Sequence, residues 1–335
     1  MKPLSIAIVG ATGAVGRELL AVLEQRRIPL RRLVLLASSR SAGAMLRCGD
    51  RDYQVELLED ESFADIDYAV FAAGAAVSRE HAERAVEHGA VVVDNSSAFR
   101  LEPDVPLVVP ECNLDALRGH RGIVANPNCS TTLLVMALAP LHRAAGVRRV
   151  VVSTYQAASG AGQGAVEELR VATRAALDGV DHAPVALPHS LALNLFPQVD
   201  RFEPDGYTRE EDKMLRETAK ILDAPELALE ATCVRVPVER CHSEAVTVAL
   251  ERELSPQEAR ELWDAAPGVV VVDEPERGVI PQPVAMDGQD AVAVGRARQS
   301  RVFRPGLSFW LVGDQLRKGA ALNAVQIVEN LCRTD

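Results

Sequence analysis

Apolar residues come in short, dense blocks through the first third of the chain and in longer, less regular blocks after it. Ser5-Ile6-Ala7-Ile8-Val9 is almost continuously apolar, the pattern of a strand buried on both faces of a parallel sheet. It runs into Gly10-Ala11-Thr12-Gly13-Ala14-Val15-Gly16, after which Val15, Leu19, Leu20, Val22 and Leu23 recur at helical spacing. Leu33 to Leu36, Tyr68 to Ala72, Val91 to Val93 and Gly122 to Ala125 read as further strands, with a helix from about Ser78 to His88. An apolar helix is predicted over Leu133 to Leu141, kinked or shortened by Pro140.

The second half alternates less regularly. Val150 to Tyr155, Ala231 to Val238, Ala245 to Leu250, Ala291 to Val294 and Leu307 to Val312 are strand-like, and Ala165 to Leu177 and Ser255 to Ala265 are helical. The latter opens with Ser255-Pro256-Gln257-Glu258, a capping box with proline at the first helical position. A last amphipathic helix is predicted from an Asp314 N-cap to about Leu331. The pattern implies a doubly wound α/β domain followed by a mixed α+β domain.

Composition narrows the function classes. The chain has 335 residues, enough for two domains, and 48% of them are apolar. A formal net charge of -11 argues against nucleic acid or an anionic membrane as the main partner, while leaving room for a local cationic pocket. Met1-Lys2-Pro3 leads straight into a strand with no signal-peptide pattern, and no apolar stretch is long enough to span a bilayer, so a cytoplasmic location is expected. The six cysteines are scattered without C-x-x-C pairs, which points to reduced thiols and to no metal site.

The chemistry-bearing positions fall at strand ends. The glycine turn at Gly10, Gly13 and Gly16 is the first strand-to-helix junction, where backbone N–H groups can hold a pyrophosphate. The second strand ends in Ser38-Ser39-Arg40-Ser41 with no carboxylate, which suits a 2′-phosphate and favours NADP over NAD. Asp94 to Arg100 closes the fourth strand and makes Arg100 a candidate anion clamp. Asn126-Pro127-Asn128-Cys129-Ser130-Thr131-Thr132 places Cys129 at the positive end of a helix, a position that favours the thiolate, with Ser130 or Thr131 able to cap it. Tyr155 to Gly162 follows a strand with glycines that admit a ligand; Glu210 and Lys213 lie one helical turn apart; Arg235 and His242 lie seven apart among strands. A cysteine nucleophile needs a nearby base, and His242 is the best placed of the seven histidines.

Taken in this order, Gly10 to Gly16, Ala37 to Gly43, Asp94 to Arg100, Asn126 to Thr132, Tyr155 to Gly162, Arg235 to Glu244 and Arg317 to Val325 resemble the aspartate-semialdehyde dehydrogenase family over essentially the whole chain. The resemblance implies a Rossmann-type NADP-binding domain (residues 1–128 plus 315–335) and an α+β catalytic and dimerisation domain (129–314), similar to glyceraldehyde phosphate dehydrogenase, in a homodimer or tetramer. It implies reduction of aspartyl phosphate by NADPH to aspartate semialdehyde and phosphate, on the route to lysine, diaminopimelate, threonine and methionine. Cys129 is then the nucleophile and His242 the group that takes the proton. Gln156 orients substrate and Asn128 contributes to the oxyanion site. Arg235 clamps the substrate carboxylate, Arg100 and Lys213 hold phosphate, and Glu210 lies near the substrate amine. Gly10, Thr12, Gly13, Ala14, Val15, Ser38, Ser39, Arg40, Ser41, Ser159, Gly160, Gln315 and Asn323 are the implied cofactor contacts. Cys241, before His242, stands where glycine or another small residue is common in the family. The related N-acetyl-glutamyl-phosphate reductases differ at the nucleophile stretch and the clamps, and non-catalytic paralogues lack the cysteine or histidine that this chain keeps.

Replacing Arg40 by Ala is expected to raise the KM for NADP by more than that for NAD in steady-state kinetics; an equal effect on both would remove the 2′-phosphate assignment.

Overall fold

The computed structural model describes residues 2–334, which form two compact units, one running to Asn128 and resuming at Ala320, the other Cys129–Gly319. In the first unit, β1 (Leu4–Val9), α1 (Ala14–Gln25), β2 (Leu30–Ala37), β3 (Met45–Cys48), β4 (Arg51–Leu57), β5 (Tyr68–Phe71), α2 (Ala75–Glu87), β6 (Val91–Asp94), the one-turn α3 (Pro110–Asn113) and β7 (Ile123–Ala125) follow in order. Their sheet runs β3-β4-β2-β1-β5-β6-β7, parallel except for the β3–β4 hairpin. Every residue of β1 is buried, as its unbroken apolar run requires. The chain leaves β1 for β2 on one side and reaches β5 on the other, so the strand order reverses at the carboxyl end of β1, where open α/β sheets take ligands. Gly10 occupies that point with φ +86, and an added Cβ would lie 2.8 Å from the Ala72 carbonyl, so both backbone conformation and space demand glycine.

The second unit holds α4 (Cys129–Ala145), β8 (Val147–Gln156), α5 (Gln163–Leu177), α6 (Arg209–Ile221), β9 (Ala228–Arg235), β10 (His242–Leu250), α7 (Pro256–Asp264), β11 (Val269–Val271), the one-turn α8 (Pro283–Met286), β12 (Val292–Gln299) and β13 (Gly306–Gly313). Its mixed sheet runs β11-β12-β13-β10-β8-β9. A π-helical turn at Arg317–Ala321 leads to α9 (Leu322–Thr334), whose Val325, Val328 and Leu331 share the core of Ile6, Ile8 and Leu35 in the first unit. Among the described residues no helix is long and apolar enough to cross a membrane.

Several expectations change. Pro140 does not shorten its helix: α4 continues to Ala145. The helix begins at Cys129 itself, so Ser130 and Thr131 lie within its first turn and not at its N-cap; the buried Ser130 hydroxyl has no partner among the described residues. The strand expected to reach Val238 stops at Arg235, ahead of Pro237, which has no N–H to give a ladder. Residues 315–319, grouped by sequence with the first domain, cluster with the second, where Gln315 bonds to Ser159 and Cys241. Asp314 does act as a cap, its Oδ1 accepting from Leu316 N (3.0 Å) and Arg317 N (3.3 Å) at the start of the π-helical turn.

Candidate active site

Strand register assembles the polar groups of the second unit. Gln156 ends β8 directly beside Arg235, the last residue of β9. In the antiparallel pairing on the other side, Ser243 of β10 faces Tyr155, which brings His242 to the end of β8 as well. Just past Gln156, the backbone of Ala157 fastens two of these side chains: its N–H donates to His242 Nδ1 (3.0 Å) and its carbonyl accepts from Arg235 Nη1 (2.7 Å). The 3₁₀ turn beyond it is tied down by Ala158 N to Val238 O (2.8 Å) and Ser159 N to Glu239 O (3.1 Å).

Gly160 closes the constellation. A Cβ there would lie 2.9 Å from Arg235 Nη1 and 3.0 Å from His242 Cε1 and Nε2, so guanidinium and imidazole converge on the space that its missing side chain leaves. Gly319 does the same for Cys129, since its Cβ would lie 3.0 Å from that of the cysteine. Cys129 is a reduced thiol at the first residue of α4, close enough to Arg235 for charge on the sulfur to favour the guanidinium cation. Burial nevertheless lowers the Arg235 pKa from its usual value.

The hydrogen bond from Ala157 settles the imidazole's tautomer. Nδ1 accepts, so the neutral ring carries its proton on Nε2, which is buried and has no partner among the described residues. Burial, and then the charge of Arg235, push the His242 pKa well below the ordinary histidine range. The neutral ring therefore presents its proton at Nε2, where sequence reasoning gave His242 the role of taking one. Glu244, two residues along β10 on the same face, was part of a matching stretch but was given no role of its own. It is fully buried, and burial followed by the nearby Glu210 pushes its carboxyl well up, which keeps it neutral.

Glu210 and Lys213 project from the first turns of α6, whose start is fixed by a Thr208/Glu211 capping box. Glu210 Oε1 accepts from Gln156 Nε2 (3.2 Å), which also donates to Thr154 Oγ1 (3.3 Å). Lys213 Nζ donates to Asp200 Oδ2 (2.6 Å) and Glu210 Oε2 (3.3 Å), so this lysine already has carboxylate partners. Gln315, expected at the cofactor, uses both ends of its amide internally: Oε1 accepts from Cys241 N (2.8 Å) and Nε2 donates to Ser159 Oγ (2.5 Å). Cys241 has φ +73, where glycine is at ease and cysteine is strained, which gives a physical reason for a small residue before His242.

The remaining expected residues belong to the first unit. Arg100, expected as a loop arginine, is buried and donates through Nε to Asn126 O (2.9 Å) and through Nη2 to Asn95 O (2.7 Å), bracing the turn that ends in Asn128. Asn323 commits its amide hydrogens to the Asn126 side chain (2.5 Å) and the Val108 carbonyl (2.8 Å), supporting the same turn. Around Thr12, Ala14 and Val15, α1 starts at N-cap Gly13 with no side-chain cap and no acidic residue in its first turn, leaving its amides to an anion. Ser38, Ser39 and Arg40 are exposed beyond β2, with Ser41 half-buried and its N–H on the Ser38 carbonyl. Arg17 was missed: its Nε donates to the Thr12 carbonyl (3.1 Å), bringing a cation to the glycine turn. The signal available was an arginine directly after the last glycine of the turn.

Comparison with known proteins agrees with this division. Residues 5–120 match the model described as semialdehyde dehydrogenase, NAD binding domain, and residues 138–318 match semialdehyde dehydrogenase, dimerisation domain. The chain is 51% identical to the aspartate-semialdehyde dehydrogenase of Aquifex aeolicus, over 98% of both chains, and 44% identical to that of Bacillus subtilis, also over 98% of both. A crystal structure of aspartate semialdehyde dehydrogenase II from Vibrio cholerae, complexed with ASA, superposes with a TM-score of 0.97 at 40% identity, covering 99% of both chains. The Candida albicans enzyme solved with NADP shares the fold at TM-score 0.77, 24% identity and 98% coverage of both chains.

Adding a methyl at Gly160 is expected to cost about 1–3 kcal/mol through overpacking against Arg235 and His242, seen as a melting temperature lower by several degrees. Gly164→Ala, whose Cβ meets nothing closer than the Ala186 Cβ at 3.9 Å, serves as the control and should not lower it. Equal melting temperatures for the two variants would mean that the gap at Gly160 is not tight.

Proposed function

The chain belongs to the aspartate-semialdehyde dehydrogenase family, and from that premise we propose that it reduces aspartyl phosphate to aspartate semialdehyde and phosphate through a thioester on Cys129, with NADPH as the reductant. The reaction belongs to amino-acid biosynthesis, and the products feed lysine, threonine and methionine. The observation that carries the reading is the convergence of His242 and Arg235 on Gly160 from the backbone of one residue, Ala157.

The residues present fit the cofactor. An uncapped helix start without acidic residues suits the pyrophosphate, and an exposed Ser38-Ser39-Arg40 with no carboxylate suits a 2′-phosphate. Gly10, Thr12, Gly13, Ala14 and Val15 would hold the former, and Ser38, Ser39, Arg40 and Ser41 the latter. When bound, NADPH supplies the hydride.

Cys129 Sγ attacks the acyl carbon of aspartyl phosphate; the C–S bond forms, the acyl–oxygen bond breaks, and phosphate leaves, taking one proton from solvent. His242 Nε2–H donates to the acyl oxygen as charge develops there, and Asn128 adds to the same oxyanion site; one such donor contributes on the order of 100- to 1000-fold. Arg235 binds the substrate carboxylate, Gln156 orients the acyl group, and Glu210 meets the amine. Arg100 and Lys213 hold the phosphoryl group. Hydride addition to the thioester leaves an alkoxide that collapses, breaking C–S and returning Cys129 as thiolate. Neither half requires His242 to lose or gain a proton, which suits a histidine whose Nδ1 already accepts a hydrogen bond.

We further take the working unit to be a cytoplasmic homodimer. The second unit matches a dimerisation model, and its sheet leaves one face uncovered, with Val151 exposed on β8 and Tyr155 packed on Trp310 of β13 (5.2 Å) along it.

Wild type and Cys129→Ser, mixed with aspartate semialdehyde, NADP and phosphate, should differ by several orders of magnitude in NADPH formation, and wild-type turnover should vanish without phosphate. Folded but inactive wild type would refute the reaction, and an active serine variant would refute the nucleophile. Because burial holds His242 neutral, kcat should show no acid limb from this residue in the ordinary histidine range, near pH 6.5. A limb there that disappears in His242→Gln would instead establish proton transfer.

A further inference from the structure

Lys213 differs from the arginines of the site in what it already touches. Arg235 rests on a backbone carbonyl, a neutral acceptor, whereas Lys213 Nζ bonds Asp200 Oδ2 at 2.6 Å and Glu210 Oε2 at 3.3 Å. The two carboxylates are not equivalent. Glu210 is nearly inaccessible and also accepts from Gln156, which anchors it. Asp200 sits on the segment leading into α6, with its side chain 36% exposed and its Oδ1 on the N–H of Arg201 (2.8 Å). Its φ of +67 is unusual for a residue other than glycine. The turn after it is firmly tied, with Phe202 bridged to Thr208 and Arg209 N on the Arg201 carbonyl (2.9 Å), so Asp200 is presented to Lys213 by a fixed frame. Burial pushes the Asp200 carboxyl up, but the bond from Lys213 outweighs it and the acid lies below its ordinary range, ionised at neutral pH.

We propose that Asp200 is a specificity-determining residue for the phosphate step: it is the resident counter-ion of Lys213, and the phosphoryl group must compete with it for the ammonium. The inference rests on the reading of Lys213 as a phosphate ligand. Arg209 acts on Asp200 and Arg235 on Glu210 as well, but the ammonium of Lys213 is bonded directly by both carboxylates, so a dianion arriving there has to displace one of them. Asp200, half in solvent, is the one able to turn away. An anion that can displace it is held, and after the thioester forms its return helps phosphate to depart.

Asp200→Asn tests this, because asparagine has the same shape and tolerates a left-handed backbone, so the turn is kept. In the direction that consumes phosphate, the variant should lower the KM for inorganic phosphate by about three- to tenfold while kcat changes less than twofold. Damage to packing would only weaken binding, so a gain in phosphate affinity is a signature of removed competition. An unchanged or higher KM for phosphate overturns the proposal. Lys213→Ala, measured alongside, should raise that KM. If it does not, Lys213 is no phosphate ligand and the proposal falls, while phosphate-dependent turnover by wild type leaves the reaction itself standing.

Discussion

The catalytic geometry depends on the backbone of Ala157. One peptide N–H orients the imidazole of His242 and the carbonyl of the same residue holds the guanidinium of Arg235, so two groups from different strands are referenced to a single rigid point. Backbone atoms at the end of a ten-residue strand in the interior of a mixed sheet move less than any pair of side chains could. The arrangement is exacting in return. Both side chains press on the space beside Gly160, where a Cβ would meet them at 2.9–3.0 Å. The preceding corner needs Cys241 in a left-handed conformation, held by the Gln315 carbonyl oxygen. Gln315 reaches the Ser159 hydroxyl with its other end, so the two backbone segments that flank the histidine are bridged by one amide.

The cysteine proposed as nucleophile is positioned differently. Cys129 is the first residue of α4 and of the second unit, and the turn before it is braced within the first unit by Arg100 on two carbonyls and by the Asn95–Asn126–Asn323 chain of amides. Buried amides that pair with one another satisfy donors and acceptors without introducing charge. The start of the helix then brings its positive end to the sulfur, the local field that a thiolate nucleophile uses.

Much of this was legible in the sequence because its signals are local. Continuous apolar runs gave β1, β5 and β6, and the change from period two to period 3.6 at Gly13 gave the first helix. The β3–β4 hairpin, Met45 to Leu57, was missed: Tyr53, Val55 and Leu57 alternate with Asp52, Gln54 and Glu56, but the two strands are short, flank a polar turn and leave Met45 and Leu57 exposed. Pro140 was expected to kink or shorten its helix, yet α4 runs on to Ala145, a length set by packing and not by the proline. The residue types of the site could be named from motifs and family resemblance, but their hydrogen bonds could not. Whether His242 gives or takes a proton turns on which ring nitrogen meets Ala157 N–H, a tertiary fact with no counterpart in spacing. The same holds for Gln315 and Asn323, whose amides serve the protein's own backbone and side chains.

A chain of net charge -11 that handles a doubly charged phosphate and a carboxylate cannot rely on its overall field, which repels both. The attraction has to be local and is strongest where water is excluded. Arg100 and Arg235 are 7% and 5% exposed, and the bonds described for each go to carbonyl oxygens. A neutral acceptor orients a guanidinium and offsets part of its desolvation without cancelling its charge, so the cation keeps its pull on a ligand. Lys213, more exposed and salt-bridged, has the opposite design: its charge is compensated until a stronger anion arrives. A buried guanidinium fixed on a backbone carbonyl, as Arg235 is, suits a group that stays bound through both halves of the reaction, the substrate carboxylate. A compensated lysine suits the group that must arrive and leave within one turnover, the phosphate.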